Sequence, residues 1–174
     1  DIAHPALEAL FTIDEETGMT GAFGLEPGVL KGDILLNLDT EDDDEFSIGC
    51  AGGIDTNTKY SYSEEAASGI AYSISVKGLK GGHSGMDIHL QRGNANKIMN
   101  RLLWNCEDLE LQIAEINGGS LRNAIPRESF ATITVKDDSY LEIFSKRVEE
   151  IKGEFSVSDG GLIIEITPVD LPEK

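Results

Sequence analysis

Residues 69–77 read Gly-Ile-Ala-Tyr-Ser-Ile-Ser-Val-Lys, and the prediction of the fold starts from this stretch. From Ser73 to Lys77 the side chains alternate between polar and apolar. A period of two is typical of a strand that has one buried and one exposed face. The stretch therefore predicts a half-exposed antiparallel strand, and residues 55–62, which alternate in the same way, predict another.

The sequence after residue 77 continues this pattern as a series of helices and strands. Apolar residues recur at helical spacing within 92–105, namely Ala95, Ile98, Met99, Leu102 and Leu103. Strands are predicted near 109–117 and 129–136, a helix over 138–152 and a last strand over 161–169. From residue 69 onward the predicted order is β-α-β-β-α-β, which indicates an α+β, ferredoxin-like domain.

The sequence before residue 45 has a different character. Residues 6–13 and 33–38 are apolar runs that each predict a strand, and the second strand is expected to be buried on both faces, as in a parallel sheet. Glycines between the two runs indicate a helix start and loops. Strand, helical connection and strand, with acidic residues at the strand ends, are typical of an α/β domain that binds ligands there. We therefore predict an α/β part over 1–47 and the ferredoxin-like domain over 48–174.

The charge of the chain excludes two classes of partner. It holds 14 basic and 32 acidic residues, a formal net charge of -18. Such a chain is expected to repel nucleic acid and anionic membrane surfaces. No apolar stretch approaches the length of a membrane span. The acidic run 41–45 is interpreted as a solvated loop, because the spacing around it does not match a calcium-binding EF-hand.

The cysteines and the first residues indicate a cytoplasmic protein. Cys50 and Cys106 lie far apart and form no CxxC pattern, so free thiols in a reducing compartment are favoured over the alternative of a disulfide. The first residues contain neither a basic nor an apolar region of the kind found in signal peptides. The absence of an initiator methionine predicts a fragment or a processed chain.

Three carboxylates are candidates for hydrolytic chemistry. Glu15 and Glu16 follow the first apolar run, and Asp39 follows the second. Adjacent side chains on an extended chain or sharp turn point in different directions. One carboxylate can then bind a metal ion while its neighbour takes the proton of a metal-bound water. The alternative is an acidic pair that opens a helix, where the helix dipole favours negative charge.

Two further segments hold candidate polar residues. His83 lies in the run Gly81-Gly82-His83-Ser84-Gly85, where glycines permit close approach of backbone and ligand. A lone histidine in a loop is also an ordinary surface residue. Asn123 and Arg127 flank an Ala-Ile-Pro segment, in which the proline favours an extended chain before it.

Five segments occur in an order that resembles a known enzyme family. They are 14–22 (DEETGMTGA), 37–41 (NLDTE), 49–53 (GCAGG), 78–85 (GLKGGHSG) and 122–128 (RNAIPRE). Together they resemble the aminoacyl-histidine dipeptidases, which belong to the co-catalytic zinc peptidases. The likeness extends from about residue 5 to about residue 153. It implies a middle slice of a catalytic domain, followed by most of an inserted lid domain that carries the dimer contact.

The resemblance also implies roles for the candidate residues. Glu15 corresponds to the general base, Glu16 to a metal ligand and Asp39 to a ligand of the second metal. His83 corresponds to a lid residue that stabilises the oxyanion, often across the dimer. Asn123 corresponds to a substrate-binding residue.

The residue that anchors the substrate carboxylate stays open among three basic side chains. The family often carries a later arginine, where this chain has Lys136. Arg122, Arg127 and Lys136 are therefore the candidates, and a guanidinium matches a carboxylate better than an ammonium does.

For the whole protein the resemblance implies a homodimeric dipeptidase that acts on peptides with a C-terminal histidine. It implies two zinc ions per active site, with manganese or cobalt as substitutes. The family's remaining metal ligands find no match in the sequence, so the 174 residues alone are expected to be inactive. The alternative is a non-catalytic, ferredoxin-like dimerisation or binding module.

Overall fold

A computed structural model describes residues 2–39, 44–49 and 52–174. The chain divides into two compact units, of which the first ends at Gly53 and the second begins at Ile54. Part of the acidic run, residues 41–43, and Cys50 lie outside the described residues. Within the described parts, no helix has both the length and the apolar character needed to cross a membrane.

The first unit contains two short helices, α1 (Glu15–Gly18) and α2 (Thr20–Phe23). Its described residues form no strand, and none of them is buried. The strands predicted over 6–13 and 33–38 are therefore wrong for this structure. A strand buried on both faces needs neighbouring strands and covering helices. The described residues of this unit supply no neighbouring strand, and its two short helices leave Leu36 and Leu38 75% and 87% exposed.

The second unit contains the remaining elements of the fold, including two single-turn 3-10 helices at Ile88–Leu90 and Glu107–Leu109 beside the α-helices and strands. In chain order the latter are β1 (Ile70–Lys77), β2 (Gly82–His83), α3 (Ala95–Leu103), β3 (Gln112–Gly118), β4 (Ala124–Ile125), β5 (Ser129–Val135), α4 (Ser139–Glu154) and β6 (Ile163–Pro168). Four strands form an antiparallel sheet in the order β3-β5-β1-β6, and β2 pairs with β4 separately. The predicted succession of strand, helix, two strands, helix and strand is confirmed in this sheet and its helices. The strand predicted over 55–62 is wrong, because these residues are irregular and exposed and pair with no described strand.

One hydrophobic core lies between the sheet and the two long helices. Alternate residues of β1, Tyr72, Ile74 and Val76, point to the same side and are all buried. The helix α3 buries residues at helical spacing, Ala95, Ile98, Met99 and Leu102. Tyr140, Phe144 and Ile151 of α4 complete the same cluster. The opposite side of β1 carries the half-buried Ser73 and Ser75, which explains the alternation in the sequence.

The segment that leads into β1 contacts the segment that follows β6. The backbone N–H of Ala67 donates to the carbonyl oxygen of Glu173 at 3.4 Å. Lys174 forms an ion pair with Glu64. The segment that enters β1 and the segment that leaves β6 are therefore neighbours.

Candidate functional site

The loop after β1 carries His83 into a small sheet with the Asn123 segment. In the pairing of β2 with β4, Gly82 lies opposite Ile125 and His83 opposite Ala124. The backbone N–H of Ser84 then donates to the carbonyl oxygen of Asn123 at 2.7 Å. His83 and Asn123, which lie 40 positions apart in the sequence, are brought to adjoining positions.

The backbone of the loop holds the His83 ring in one orientation. Its Nδ1 accepts hydrogen bonds from the N–H groups of Gly85 at 3.1 Å and Met86 at 3.2 Å. A neutral imidazole has one donor and one acceptor nitrogen. Since Nδ1 is the acceptor, Nε2 carries the hydrogen in the neutral ring. The side chain is exposed, so the ring presents a hydrogen-bond donor at the surface.

The glycines before His83 are required by the shape of this loop. Gly81 and Gly82 have φ angles of 65° and 143°, which residues with a side chain adopt rarely. A Cβ on Gly81 would lie 2.3 Å from Cγ of Arg127. A Cβ on Gly82 would lie 2.5 Å from Oδ2 of Asp87. The exposed side chain of Arg127 therefore packs on the loop at Gly81. Arg127 is one of the residues that the sequence offers for binding the substrate.

Two residues that the sequence did not single out support the same loop. Oδ2 of Asp87 accepts a hydrogen bond from the N–H of His83 at 2.8 Å. Nη1 of Arg92 donates to the carbonyl oxygen of Gly81 at 2.6 Å and lies 3.7 Å from the Asp87 carboxylate. Aspartate is frequent in turns because its side chain bonds to nearby backbone groups, and this general preference is the only local signal that points to Asp87. Arg92 has no comparable local signal.

Glu15 and Glu16 occupy the first turn of α1, as the helix-start alternative also predicts. Asp14 precedes them with a left-handed φ of 63°, and its carboxylate accepts the hydroxyl groups of Thr17 and Thr20. These bonds hold the turn, and both glutamates stay exposed. Asp14 is thus a structural residue of this segment that the sequence did not single out. Aspartate is among the residues that tolerate a left-handed backbone best.

Asp39 lies in the first unit without a regular element around it. Its N–H donates to Oδ1 of Asn37 at 2.9 Å, and its side chain is exposed. Carboxylate oxygens suit zinc, manganese or cobalt, so Glu16 and Asp39 have the donor chemistry of metal ligands. In the described ranges, however, no group of three or more histidine, cysteine or acidic side chains could hold a metal ion. Glu16 and Asp39 do not complete a metal site by themselves.

A groove of about 690 Å³ runs beside the His83 loop. Ser84, Arg92, Lys97, Arg122 and Ile125 are among the residues that line it. Basic side chains thus gather here, although the chain as a whole is strongly acidic. Arg122 itself lies 3.8 Å from the carboxylate of Asp55.

Lys136, the third candidate anchor of a substrate carboxylate, lies 3.4 Å from Glu110. That ion pair joins the residue after β5 to a residue two positions before β3, and both side chains are exposed. The side chain of Arg127 packs on the His83 loop at Gly81.

The profile of a protein family described as the peptidase dimerisation domain matches residues 74–156. The match extends from the middle of β1 through the end of α4. It includes the His83 loop and the Asn123 segment.

Over residues 74–156, this chain is similar to the peptidase dimerisation domain.

Two relatives extend the comparison beyond the dimerisation domain. The cytosol non-specific dipeptidase of Escherichia coli K12 is 50% identical over 141 residues, which are 79% of this chain and 29% of the relative. The crystal structure of aminoacylhistidine dipeptidase from Vibrio alginolyticus is 46% identical, with a TM-score of 0.68. That match covers 91% of this chain and 34% of the other. The resemblance to the aminoacyl-histidine dipeptidases is confirmed. The chain spans about a third of the length of these two relatives.

Proposed function

We propose that the chain is part of a metal-dependent dipeptidase and supplies three carboxylates of its active site and the residues that bind the substrate carbonyl. The His83 ring carries the proposal: its Nδ1 is held by two backbone N–H groups, and Nε2–H remains as the donor of an exposed side chain. A donor held in this way is suited to a carbonyl oxygen that gains negative charge. Asn123, at the adjoining position, can supply a second donor.

In this proposal Glu15 is the general base that takes a proton from the attacking water and returns it to the leaving amine. Glu16 and Asp39 each supply one carboxylate ligand to a metal pair, zinc in the first instance, and the remaining ligands come from outside the described residues. A bound metal lowers the pKa of its water toward about 7, which makes that proton available to a carboxylate. The exposed positions of Glu15 and Glu16 in one short turn are compatible with this division of roles.

The substrate of the proposal is a short peptide with a C-terminal histidine, cleaved in the cytoplasm. Arg127 is the proposed partner of its carboxylate, because a guanidinium can form two parallel hydrogen bonds with that group. Support comes from the position of the Arg127 side chain over the loop that carries His83. The Vibrio relative is named for aminoacylhistidine substrates and the Escherichia coli relative for non-specific ones.

The proposed assembly is a homodimer formed through the second unit. The strand β3 is an edge of the four-stranded sheet and carries Ile113 and Ile116, which are 49% and 54% exposed. An open edge with exposed apolar side chains favours pairing with another strand. A second copy of this chain offers an identical edge, as a two-fold interface requires.

A non-catalytic dimerisation module is the second candidate function for the 174 residues. Every buried residue of the described chain lies in the second unit. The dimerisation domain profile matches that unit alone. Within the described ranges, neither unit contains a group of three or more histidine, cysteine or acidic side chains that could hold a metal ion.

The hydrolysis of dipeptides by the whole protein separates the two candidates. We expect metal-dependent cleavage of dipeptides that end in histidine, and slower cleavage of matched dipeptides that end in alanine. Equal rates for both sets would contradict the histidine preference but leave the dipeptidase proposal standing. No cleavage of either set by metal-loaded protein would favour the non-catalytic module.

A further inference from the structure

Both ends of the loop that carries His83 are hydrogen-bonded to a single buried carboxylate. Asp159 lies in the turn between α4 and β6 and is 1% exposed. Its Oδ1 accepts the backbone N–H of Lys80 at 2.9 Å, and its Oδ2 accepts the backbone N–H of Gly93 at 2.7 Å. These partners are 79 and 66 positions away in the sequence. One side chain thus joins the start of the loop, its end and the far turn.

The hydrogen bonds keep this carboxylate charged in the interior. Burial alone would raise the pKa of Asp159. The backbone N–H groups of Lys80 and Gly93, the side chain of Ser158 and the charge of Lys80 outweigh that effect, and the pKa lies below its ordinary value. Charge-assisted hydrogen bonds are about twice as strong as neutral ones. The contacts of Asp159 are therefore suited to hold two chain segments together.

Packing and polar contacts pass this constraint on to His83. A Cβ on Gly93 would lie 2.6 Å from Cδ2 of Leu79, so the two ends of the loop are in close contact. Between them, Arg92 bonds to the carbonyl oxygen of Gly81, and Asp87 bonds to the N–H of His83. The backbone that aims N–H groups at the His83 ring is thus fixed at both of its ends.

We propose that Asp159 is a positioning residue, which holds the loop from Lys80 to Gly93 closed and so keeps the His83 ring in its single orientation. It acts through the loop and does not touch the substrate. The consequence for catalysis rests on the proposed function, in which His83 binds the carbonyl oxygen of the peptide. The effect on the loop does not depend on that function.

The test compares Asp159→Asn with Asp137→Asn in the 174-residue chain. The asparagine keeps the shape of the side chain but has only one acceptor oxygen for two N–H groups. Asp137 is a matched control, since it accepts the N–H of Ser139 at 2.9 Å at the start of α4, away from the loop. Nuclear magnetic resonance reports the amide exchange of Gly85 and Met86 and the tautomer of the His83 ring.

In Asp159→Asn we expect exchange at Gly85 and Met86 to become about 10- to 100-fold faster, the range for one lost hydrogen bond to a charged group. The preference of the neutral His83 ring for hydrogen on Nε2 should weaken toward that of a free imidazole, while core amides such as that of Ile74 stay protected. Asp137→Asn should change none of these signals. Unchanged exchange and an unchanged tautomer in Asp159→Asn would overturn the proposal.

If Asp159→Asn fails to fold, exchange in the wild-type chain at low denaturant decides instead. Opening of Gly85 and Met86 together with Lys80 and Gly93, with one denaturant dependence, supports the proposal. Opening of Gly85 and Met86 while Lys80 and Gly93 stay protected overturns it, because the loop would then move with its ends still held.

Kinetics in the whole protein distinguish this inference from the proposed function. Asp159→Asn should lower kcat about 10- to 100-fold with unchanged metal content, the size expected when a catalytic group is misplaced. Full activity in His83→Ala, together with a disturbed loop in Asp159→Asn, would remove the proposed role of His83 in binding the carbonyl oxygen but keep the positioning. An inactive His83→Ala with a fully active Asp159→Asn would overturn the positioning role instead.

Discussion

At the scale of single residues, backbone groups decide what the polar side chains can do. A histidine can present either ring nitrogen to a ligand, and the amides of Gly85 and Met86 occupy one of them at His83. Asp14 plays a similar part in the first unit, where it accepts two threonine hydroxyls and leaves Glu15 and Glu16 exposed. In both segments the neighbours fix the geometry, and the candidate reactive group remains accessible.

Glutamine substitutions should separate the roles of the two adjacent glutamates in the whole protein. Glu15→Gln keeps the size of the side chain but removes the base, so kcat should fall roughly 10²–10⁴-fold while the metal content persists. Glu16→Gln should lose metal instead, since an amide is a weaker ligand than a carboxylate. Metal analysis and steady-state kinetics on the two variants check this, and the reverse pattern would exchange the two assignments.

The ionisation of Tyr72 gives a residue-level test of the second unit. Its hydroxyl donates to Asp138 at 2.5 Å, and this bond, with burial and the charge of Asp138, raises the pKa of Tyr72 to about 12. The pair stabilises the fold below about pH 10, the ordinary value, and this stabilisation is lost as the pH rises from 10 to 12. Asp138→Asn should lower the pKa of Tyr72 toward 10.

Tyrosinate absorbance as a function of pH measures this change. Asp137→Asn is the control, because it alters the neighbouring residue and leaves the partner of Tyr72 in place. An unchanged titration curve in Asp138→Asn would contradict the assignment of the raised pKa to this bond.

At the scale of elements, local pattern predicted those strands whose partners lie in the same unit. The alternation over 69–77 succeeded because β1 lies between β5 and β6 and has one covered face. The apolar run over 33–38 has an equally strong pattern, but the described residues offer it no strand to pair with. A strand is stabilised by neighbours that its own sequence does not contain.

The candidate site shows the same difference between local and distant information. The glycines around His83 and the family resemblance make it a candidate from the sequence alone, and both signals are local. Asp159 could not be identified in this way, since Ser158-Asp159-Gly160-Gly161 reads as an ordinary turn. Its two backbone partners lie more than sixty positions away, and no local pattern reports such a contact.

The edge strand β3 carries the prediction for assembly. We expect the 174-residue chain to be a dimer, and Ile116→Lys to shift it toward monomer, because a lysine on an edge strand opposes pairing with another strand. Ile163→Lys is the matched control on β6, the other edge of the sheet, where the isoleucine is 45% exposed. Sedimentation velocity measures the mass of each variant. Dissociation by Ile163→Lys alone would move the interface to β6.

At the scale of the whole molecule, subunit mixing tests whether His83 serves its own subunit. If each active site takes Glu15 from one subunit and His83 from the other, a Glu15→Gln subunit paired with a His83→Ala subunit forms one intact site. Randomly mixed subunits, half of them heterodimers, should then recover about a quarter of wild-type activity.

The matched control is each variant subjected alone to the same exchange of subunits, which should stay nearly inactive. Mixed dimers no more active than their parents would place His83 in its own subunit or outside catalysis. The experiment requires the whole protein and a confirmed exchange of subunits.

The hydrogen bond between Ala67 and Glu173 has a consequence for how the strands and helices of the second unit can be reconnected. Because the segments before β1 and after β6 adjoin, the sheet does not require the chain to begin and end at these two points. A short bridge between the segments at Glu64 and Lys174, with a new opening at the exposed turn around Asn105, should give a circular permutant with the same sheet. For the same reason, such a unit can be spliced into a surface loop of another protein without separating the two sides of that loop.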